Sequence, residues 1–508
     1  MKKLNSLIFL MFFVNLLFAQ KKPNIIVFMV DDMGWQDTSV PFADQITELN
    51  KRYHTPNMER LAAQGVKFTN AYSNSVCTPT RVSFLTGMSA ARHRVTNWTA
   101  PEKDRSTDFK DDLFEPLDWN INGLSEKNNV PNTVYATPLA QLLNDAGYFT
   151  IHVGKAHWGS LGTSGSNPRN LGFSVNIAGS SIGHPQSYYG EENYGNVVGQ
   201  KLAFNAVPGL GEYYGTDTFL TEALTIEAIK AISEPIKHKQ PFFLYLAHYA
   251  VHTPIQGDKR FLGKYLESGI DSTEANYASL IEGMDKSLGD LINALEQKKV
   301  SENTVIIFMS DNGGLSLVPP RGGEKYTHNL PLRAGKGSLY EGGIREPMIV
   351  KWPGKVKAGV TSNQPVHIVD FFPTILELAD IKNAPTIQHV DGKSFLFNLK
   401  ETSKIDSTRA LIWHFPNRWT SDESNAFSYA SAIRLGDWKL IYLMKHQKLE
   451  LYNLKNDLGE RVDLSQRYPE KVKELAVKLT NQLKESNAQM PAYKSNGKKV
   501  LWPDEVIK

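Results

Sequence analysis

Four stretches of the chain are largely apolar: Ile25–Val30, Phe242–Ala247 and Val305–Met309 without polar alternation, and Tyr148–Val153 interrupted only by Thr150 and His152. Runs of this kind predict strands buried on both faces, as in a parallel sheet with helices on each side. Between them the apolar positions repeat at helical spacing. Leu139, Leu142 and Leu143 predict a helix over 137–146, stopped by Gly147. Leu220, Leu224, Ile226 and Ile229 predict another over 217–232, and Leu280, Ile281, Met284, Leu288, Leu291 and Ile292 a third over 277–295. Strands alternating with helices imply a layered α/β domain. The stretch from Gly159 to Gly215 is rich in Gly, Ser, Asn and Tyr and lacks a period, which predicts long loops. After Phe395 the pattern changes. Ala430–Tyr442 predicts a hairpin about a Gly436-Asp437 turn, Glu450–Leu454 a short strand, and Pro469–Leu483 a helix.

Each buried strand delivers polar chemistry at its C-terminal end, where ligands gather in open α/β sheets. The first ends in Asp31-Asp32, the second in Gly154-Lys155-Ala156-His157, the third in His248 to His252, and the fourth in Asp311-Asn312. Any one of these fits a cap or a turn; four together point to one site. Asp31, Asp32, Asp311 and Asn312 offer only oxygen donors, a set that favours Ca²⁺ or Mg²⁺ over zinc.

A fifth element is the stretch Ser75–Gly87. Pro79 suits the first turn of a helix, Val82, Phe84 and Leu85 face a core, and Gly87 suits its stop. Cys77 is the single cysteine, so no intrachain disulfide forms. It precedes the expected helix start and lies four residues before Arg81, on the same side. A thiol, or a group made from it, then sits at a positive helix end beside a guanidinium, which suits an anion. Most free cysteines are small buried hydrophobes, but the polar, proline-broken surroundings argue against that here.

Composition narrows the setting. The 508 residues suffice for a large core and more than one structural unit. Met1–Ala19 has a Lys2-Lys3 start, a short apolar run and a small residue at its end, the pattern of a signal peptide rather than a membrane span. The formal net charge of +3 falls to 54 basic against 53 acidic residues without Lys2 and Lys3. No nucleic-acid partner, and no membrane span in the mature chain, is expected. The expectation is an exported protein, periplasmic or secreted, with a core rather than disulfides for stability.

The motif Cys77-Thr78-Pro79-Thr80-Arg81, followed by Leu85-Thr86-Gly87, resembles the signature of the formylglycine-dependent sulfatases, with Thr80 where Ser is commoner. Gly154-Lys155-Ala156-His157-Trp158-Gly159 and the Gly335-Lys336-Gly337 turn are similar to two further motifs of that family, and Val251-His252-Thr253-Pro254 to a fourth. The resemblance implies a mixed, mostly parallel central sheet flanked by helices, of the alkaline-phosphatase type, over 20–395. A smaller antiparallel sheet with a helix follows over 396–508. It implies that a formylglycine-generating maturation enzyme oxidises Cys77 to an aldehyde. One Ca²⁺ is then held by Asp31, Asp32, Asp311, Asn312 and the modified Cys77, while Lys155, Lys336 and Arg81 cradle an anion beside it.

The implied reaction is hydrolysis of a sulfate ester through covalent catalysis. A hydrated aldehyde carries two hydroxyls on one carbon, so one can take the sulfuryl group and the other can expel it. The resemblance assigns His157 to deprotonating the second hydroxyl, and His252 with Lys336 to protonating the leaving alcohol. Export and aromatic loops suggest a sulfated carbohydrate, with Asn97, Trp98, Ser180 and His184 as candidate contacts. Trp119, Tyr188, Tyr189 and Gln186 are further residues able to stack on or bond a sugar. Two other readings remain open at this point: a phosphonate or phosphodiester hydrolase of the same superfamily, and a non-catalytic binder of sulfated glycans.

Overall fold

The computed structural model describes residues 22–197, 204–421, 424 and 426–507. The signal peptide expected over 1–19 lies outside the described residues. The four apolar runs form adjacent strands of one sheet: Thr304–Ser310, Asn24–Val30, Phe242–Ala247 and Phe149–Gly154, all parallel. The short Val175–Ile177 strand extends this edge in parallel, within a stretch the sequence predicted as loop. Three residues are too few for a period to register. On the other side Arg345–Lys351 runs antiparallel to both its neighbours, Thr304–Ser310 and Val66–Tyr72, and Val360–Ser362 and Val366–His367 complete the nine strands. The sheet is therefore mixed and mostly parallel, as expected.

The Asn24–Val30 strand explains why its run has no polar alternation. Ile26, Phe28 and Val30 enter one core with the helices Leu220–Lys237 and Ser272–Gln297. Ile25, Val27 and Met29 enter a second core, with the helices Cys77–Thr86, Leu139–Asp145 and Phe371–Leu378. Alternate side chains face opposite sides of a strand, and here both sides are covered. The long helix Ser272–Gln297 is started by Asp271, whose side chain accepts from the Thr273 and Glu274 N–H groups.

The smaller unit is a four-stranded antiparallel sheet in the order Ala410–Arg418, Ser428–Leu435, Trp438–Leu443, Lys448–Asn453. Its first strand was not predicted. One face packs Ile433, Leu440 and Leu451 against Leu475, Leu479 and Leu483 of the helix Pro469–Glu485. The other face sets Trp413, Phe415 and Ile441 against Tyr72, Val76 and Ile344 of the larger unit. Phe395, Leu396 and Leu399 pack into the core of the larger sheet. A buried ion cluster also joins the two units. The Lys439 ammonium donates to Glu341 at 2.8 Å and lies 2.8 Å from Glu460, while Arg345 and the Tyr72 hydroxyl also donate to Glu341. Among the described residues, no helix is long and apolar enough to cross a membrane.

Candidate active site

The helix that opens the site starts at Cys77 itself, with Val76 as its extended N-cap and Pro79 as its third residue. The sequence had placed the cysteine just before it; proline lacks an N–H and is equally at home anywhere in the first turn. Gly87 ends the helix at φ 69°, and its N–H donates to Ser83 O at 2.8 Å. Asp32 and His157, at the ends of their strands, adopt φ of 61° and 53°. Positive φ is uncommon without glycine, and such residues cluster at functional sites.

These strand ends converge. One ligand atom from each of Asp31, Asp32, Cys77 and His252 lies within 4.8 Å of the others. Asp311 joins them by accepting the Asp32 N–H at 3.2 Å, and Asn312 by donating Nδ2 to Asp32 Oδ1 at 2.8 Å. Three buried cations are paired with the three carboxylates. Lys155 Nζ donates to Asp31 Oδ2 at 2.6 Å, Lys336 Nζ to Asp32 at 2.7 and 2.8 Å, and Arg81 to Asp311 Oδ2 at 2.8 and 3.0 Å. Arg81 also donates to the Lys155 carbonyl at 3.0 Å, tying the helix to the second strand end.

Electrostatics follow from this packing. Burial, with Asp311 close by, pushes the Asp31 carboxyl well above the usual range. Burial would do the same to Asp32, but His252 and Lys336 outweigh it and hold that carboxyl down. Against the expectation from its polar surroundings, Cys77 is buried, and burial raises its thiol to about 12, so an unmodified Cys77 is protonated at neutral pH and a poor nucleophile. Burial, reinforced by Lys155, keeps His157 neutral. His157 Nε2 lies 2.9 Å from the Thr99 carbonyl, which can only accept, so Nε2 carries the proton. Nδ1 is buried without a partner and keeps its lone pair.

His252 faces Lys336 with Nε2 at 2.9 Å and stacks on His184 with ring centroids 5.5 Å apart. His184 Nε2 in turn lies 3.0 Å from Asn205 Nδ2, and an amide can only donate there. His248 is buried and bonded to Ser287, a packing role.

Two oxygens show that the donors suit a cation. Asp31 Oδ1 and Asn312 Oδ1 are buried with no hydrogen-bond partner. Leaving such a group unsatisfied costs about 1–3 kcal/mol each. A hard cation is the partner an all-oxygen set takes.

The group opens into a cavity of about 390 Å³ whose floor is Asp32, Cys77, His157, His252 and Lys336. Trp98 and His184 line it as well. Asn97 and Ser180 stand behind the lining. Asn97 is fully buried and donates to Asp108, and the Ser180 carbonyl accepts the His157 N–H at 3.1 Å. Trp119 and Tyr188 are buried too, so neither offers a face to a sugar; the Tyr188 hydroxyl instead donates to the Tyr249 and His252 carbonyls. Phe109, Phe204, Leu315, Leu317 and Trp419 also line the cavity, and no motif or period had singled them out. A larger cavity, about 530 Å³, shares no residue with this one.

Residues 23–381 match the sulfatase family, and residues 335–489 match the family described as N-sulphoglucosamine sulphohydrolase, C-terminal. The chain belongs to the sulfatase family. Its chemistry is that of a sulfuric ester hydrolase. A sulfatase of Formosa agariphila is 32% identical to it over 535 residues, covering 96% of this chain and 93% of that one. Human N-acetylgalactosamine-6-sulfatase is 29% identical over 476 residues, covering 88% of this chain and 82% of that one. The crystal structure of Ps i-CgsB superposes with a TM-score of 0.70 at 27% identity, over 91% of this chain and 93% of that one. The sulfatase fold and family expected from the cysteine motif are thus both met.

Proposed function

We propose that this sulfatase is exported to the periplasm and releases sulfate from a sulfated carbohydrate, using a formylglycine made from Cys77 and one bound Ca²⁺. The observation that carries the reading is the floor itself: Cys77 beside Asp31 and Asp32, with Lys155, Lys336 and Arg81 buried among the carboxylates. The carbohydrate draws support from relatives. Ps i-CgsB has a structure in complex with k-i-k-neocarrahexaose, and the human relative is named for N-acetylgalactosamine.

Asp31, Asp32, Asp311, Asn312 and the oxidised Cys77 are the residues that would hold Ca²⁺, which supplies a positive charge to polarise the sulfate oxygens. The formylglycine at position 77 supplies two hydroxyls on one carbon once hydrated. With a cation to balance the aspartates, the Lys155 and Lys336 ammonium groups and Arg81 serve to hold the sulfate and the charge that develops on it. His157 accepts a proton at Nδ1 from the group at position 77. Lys336, with His252 beside it, returns a proton to the leaving alcohol oxygen. Trp98 and His184 shape the sugar side, with Asn97 and Ser180 supporting it from behind. In this reading residues 1–19 are the signal peptide, 20–395 carry the catalysis and 396–508 form the smaller unit. A formylglycine-generating enzyme is the partner that matures it.

The test is sulfate release from neocarrahexaose and from N-acetylgalactosamine 6-sulfate, with the mass of the Cys77 peptide measured in the same preparation. The expected result is turnover by protein carrying the aldehyde, and near-complete loss in Cys77→Ser and His157→Ala. Full activity in Cys77→Ser, or in protein whose thiol mass is unaltered, refutes the formylglycine. Faster turnover of a phosphate diester than of the matching sulfate refutes the sulfate reading.

A further inference from the structure

Above its floor the cavity changes character. The sides are Trp98, Phe109, Phe204, Leu315, Leu317 and Trp419. Phe109 and Phe204 each leave 51% of their surface exposed. Exposed aromatic residues gathered around a cleft mark a binding surface more than a core.

Three of these rings are fixed by one carboxylate. Asp108 accepts from Asn97 Nδ2 at 2.8 Å, from Asn417 Nδ2 at 2.9 and 3.1 Å, and from Trp119 Nε1 at 3.0 Å. Asn97 precedes Trp98, Asp108 precedes Phe109, and Asn417 lies two residues before Trp419. The Phe109 N–H also donates to the Arg418 carbonyl at 2.9 Å. The far side of Trp419 is fixed as well. A Cβ at Gly337 would fall 2.1 Å from Trp419 Cε3, so the indole lies directly against the turn that carries Lys336. Gly337 has φ 88° and donates its N–H to the Ser75 carbonyl, just ahead of the Cys77 helix.

We propose that Trp98, Phe109 and Trp419 form an aromatic clamp that stacks the pyranose ring bearing the sulfate, and that Asp108 is the positioning residue that sets it. The inference rests on the carbohydrate reading and adds to it that the smaller unit supplies part of the substrate site. A pyranose presents C–H faces that pack on aromatic rings, while its sulfate reaches the charged floor. Stacking of this sort is worth about ten-fold in affinity per ring.

The test compares Trp419→Ala, Trp98→Ala and Asp108→Asn with wild type on three probes: neocarrahexaose, N-acetylgalactosamine 6-sulfate and the open-chain 2-hydroxyethyl sulfate. For each sugar that the wild type hydrolyses, KM is expected to rise about ten-fold in each tryptophan variant, with kcat kept within about two-fold. Asp108→Asn is expected to shift KM in the same direction. Losses on 2-hydroxyethyl sulfate, which has no ring to stack, are expected to be several-fold smaller than on the sugars in the same variants, and Trp419→Phe to recover most of the sugar KM. Equal losses on sugar and open-chain probes overturn the clamp and leave Trp419 a mere support for Lys336. Unchanged kinetics in both tryptophan variants also overturn it. Wild-type protein that releases no sulfate from either sugar removes the carbohydrate reading and the clamp with it, an outcome distinct from an active wild type with insensitive variants.

Discussion

The floor and the walls of the cavity are built on opposite plans. The floor is charged and buried, and nearly every group in it is bonded to another: Lys155 to Asp31, Lys336 to Asp32, Arg81 to Asp311. The walls are aromatic, partly exposed, and held from behind by amide and carboxylate groups that never reach the cavity. The floor comes from strand ends of one sheet, the start of the Cys77 helix and the Lys336 turn, whereas the walls come from loops of the larger unit and from the antiparallel sheet. The difference separates two tasks. Reaction chemistry needs fixed charge in a dry place. Selection of a substrate needs shape and apolar surface that a solvated sugar can reach.

Variants that strike only one side sharpen that division. The largest effect is expected at the floor: Lys155→Ala should lower kcat/KM about a hundred- to a thousand-fold, far beyond the ten-fold wall effect. A Lys155→Ala variant that loses only KM, by no more than the tryptophan variants, would erase the distinction. Next comes metal. Protein dialysed against a chelator is expected to lose turnover, to melt a few degrees lower, and to recover both on adding Ca²⁺. Activity and melting that ignore the chelator would remove the cation from the floor. Gly337→Ala touches the seam between floor and wall. It is expected to cost about 1–3 kcal/mol through the positive φ and to raise the sugar KM by displacing Trp419, read by denaturant unfolding and steady-state kinetics. Unchanged stability and KM would show that the seam is slack.

The smallest effect is expected away from the cavity. Burial, with Glu341 nearby and only partly offset by Lys439, raises the Glu460 carboxyl to about 7. A carboxyl that binds its proton more tightly when folded contributes stability that is full below about 4.5 and lost as pH rises through about 7. Glu460→Gln is therefore expected to flatten the fall in melting temperature across that window, by a few degrees, with sugar kinetics intact. A pH–melting curve identical to wild type would count against the buried cluster as the pH-sensitive weld.

The same division explains what was legible in the sequence. Apart from Lys336, each floor residue sits within a few positions of an apolar run or of the cysteine helix, so local pattern and chemistry coincide at Asp31, Lys155, His252 and Asp311. The walls carry no such sign. Trp419 follows a strand that the pattern did not predict, and its contact with Gly337 joins residues 82 positions apart. The glycines beside Lys336 admit protein: Trp419 at Gly337, and the Gly314 carbonyl with Ser316 and Asn329 at Gly335. Trp119 and Tyr188 read as sugar platforms, yet the fold buries both as donors to other groups.

The Glu341–Lys439–Glu460 cluster bolts the antiparallel sheet to the helical turn Glu341–Ile344 that follows the Lys336 loop, while the indole of Trp419 lies directly against Gly337 of that same loop. In the proposed clamp, an axial and an equatorial sulfate on one ring would meet that panel at very different tilts, so the stereochemistry of the ester carbon is the property it is expected to sort.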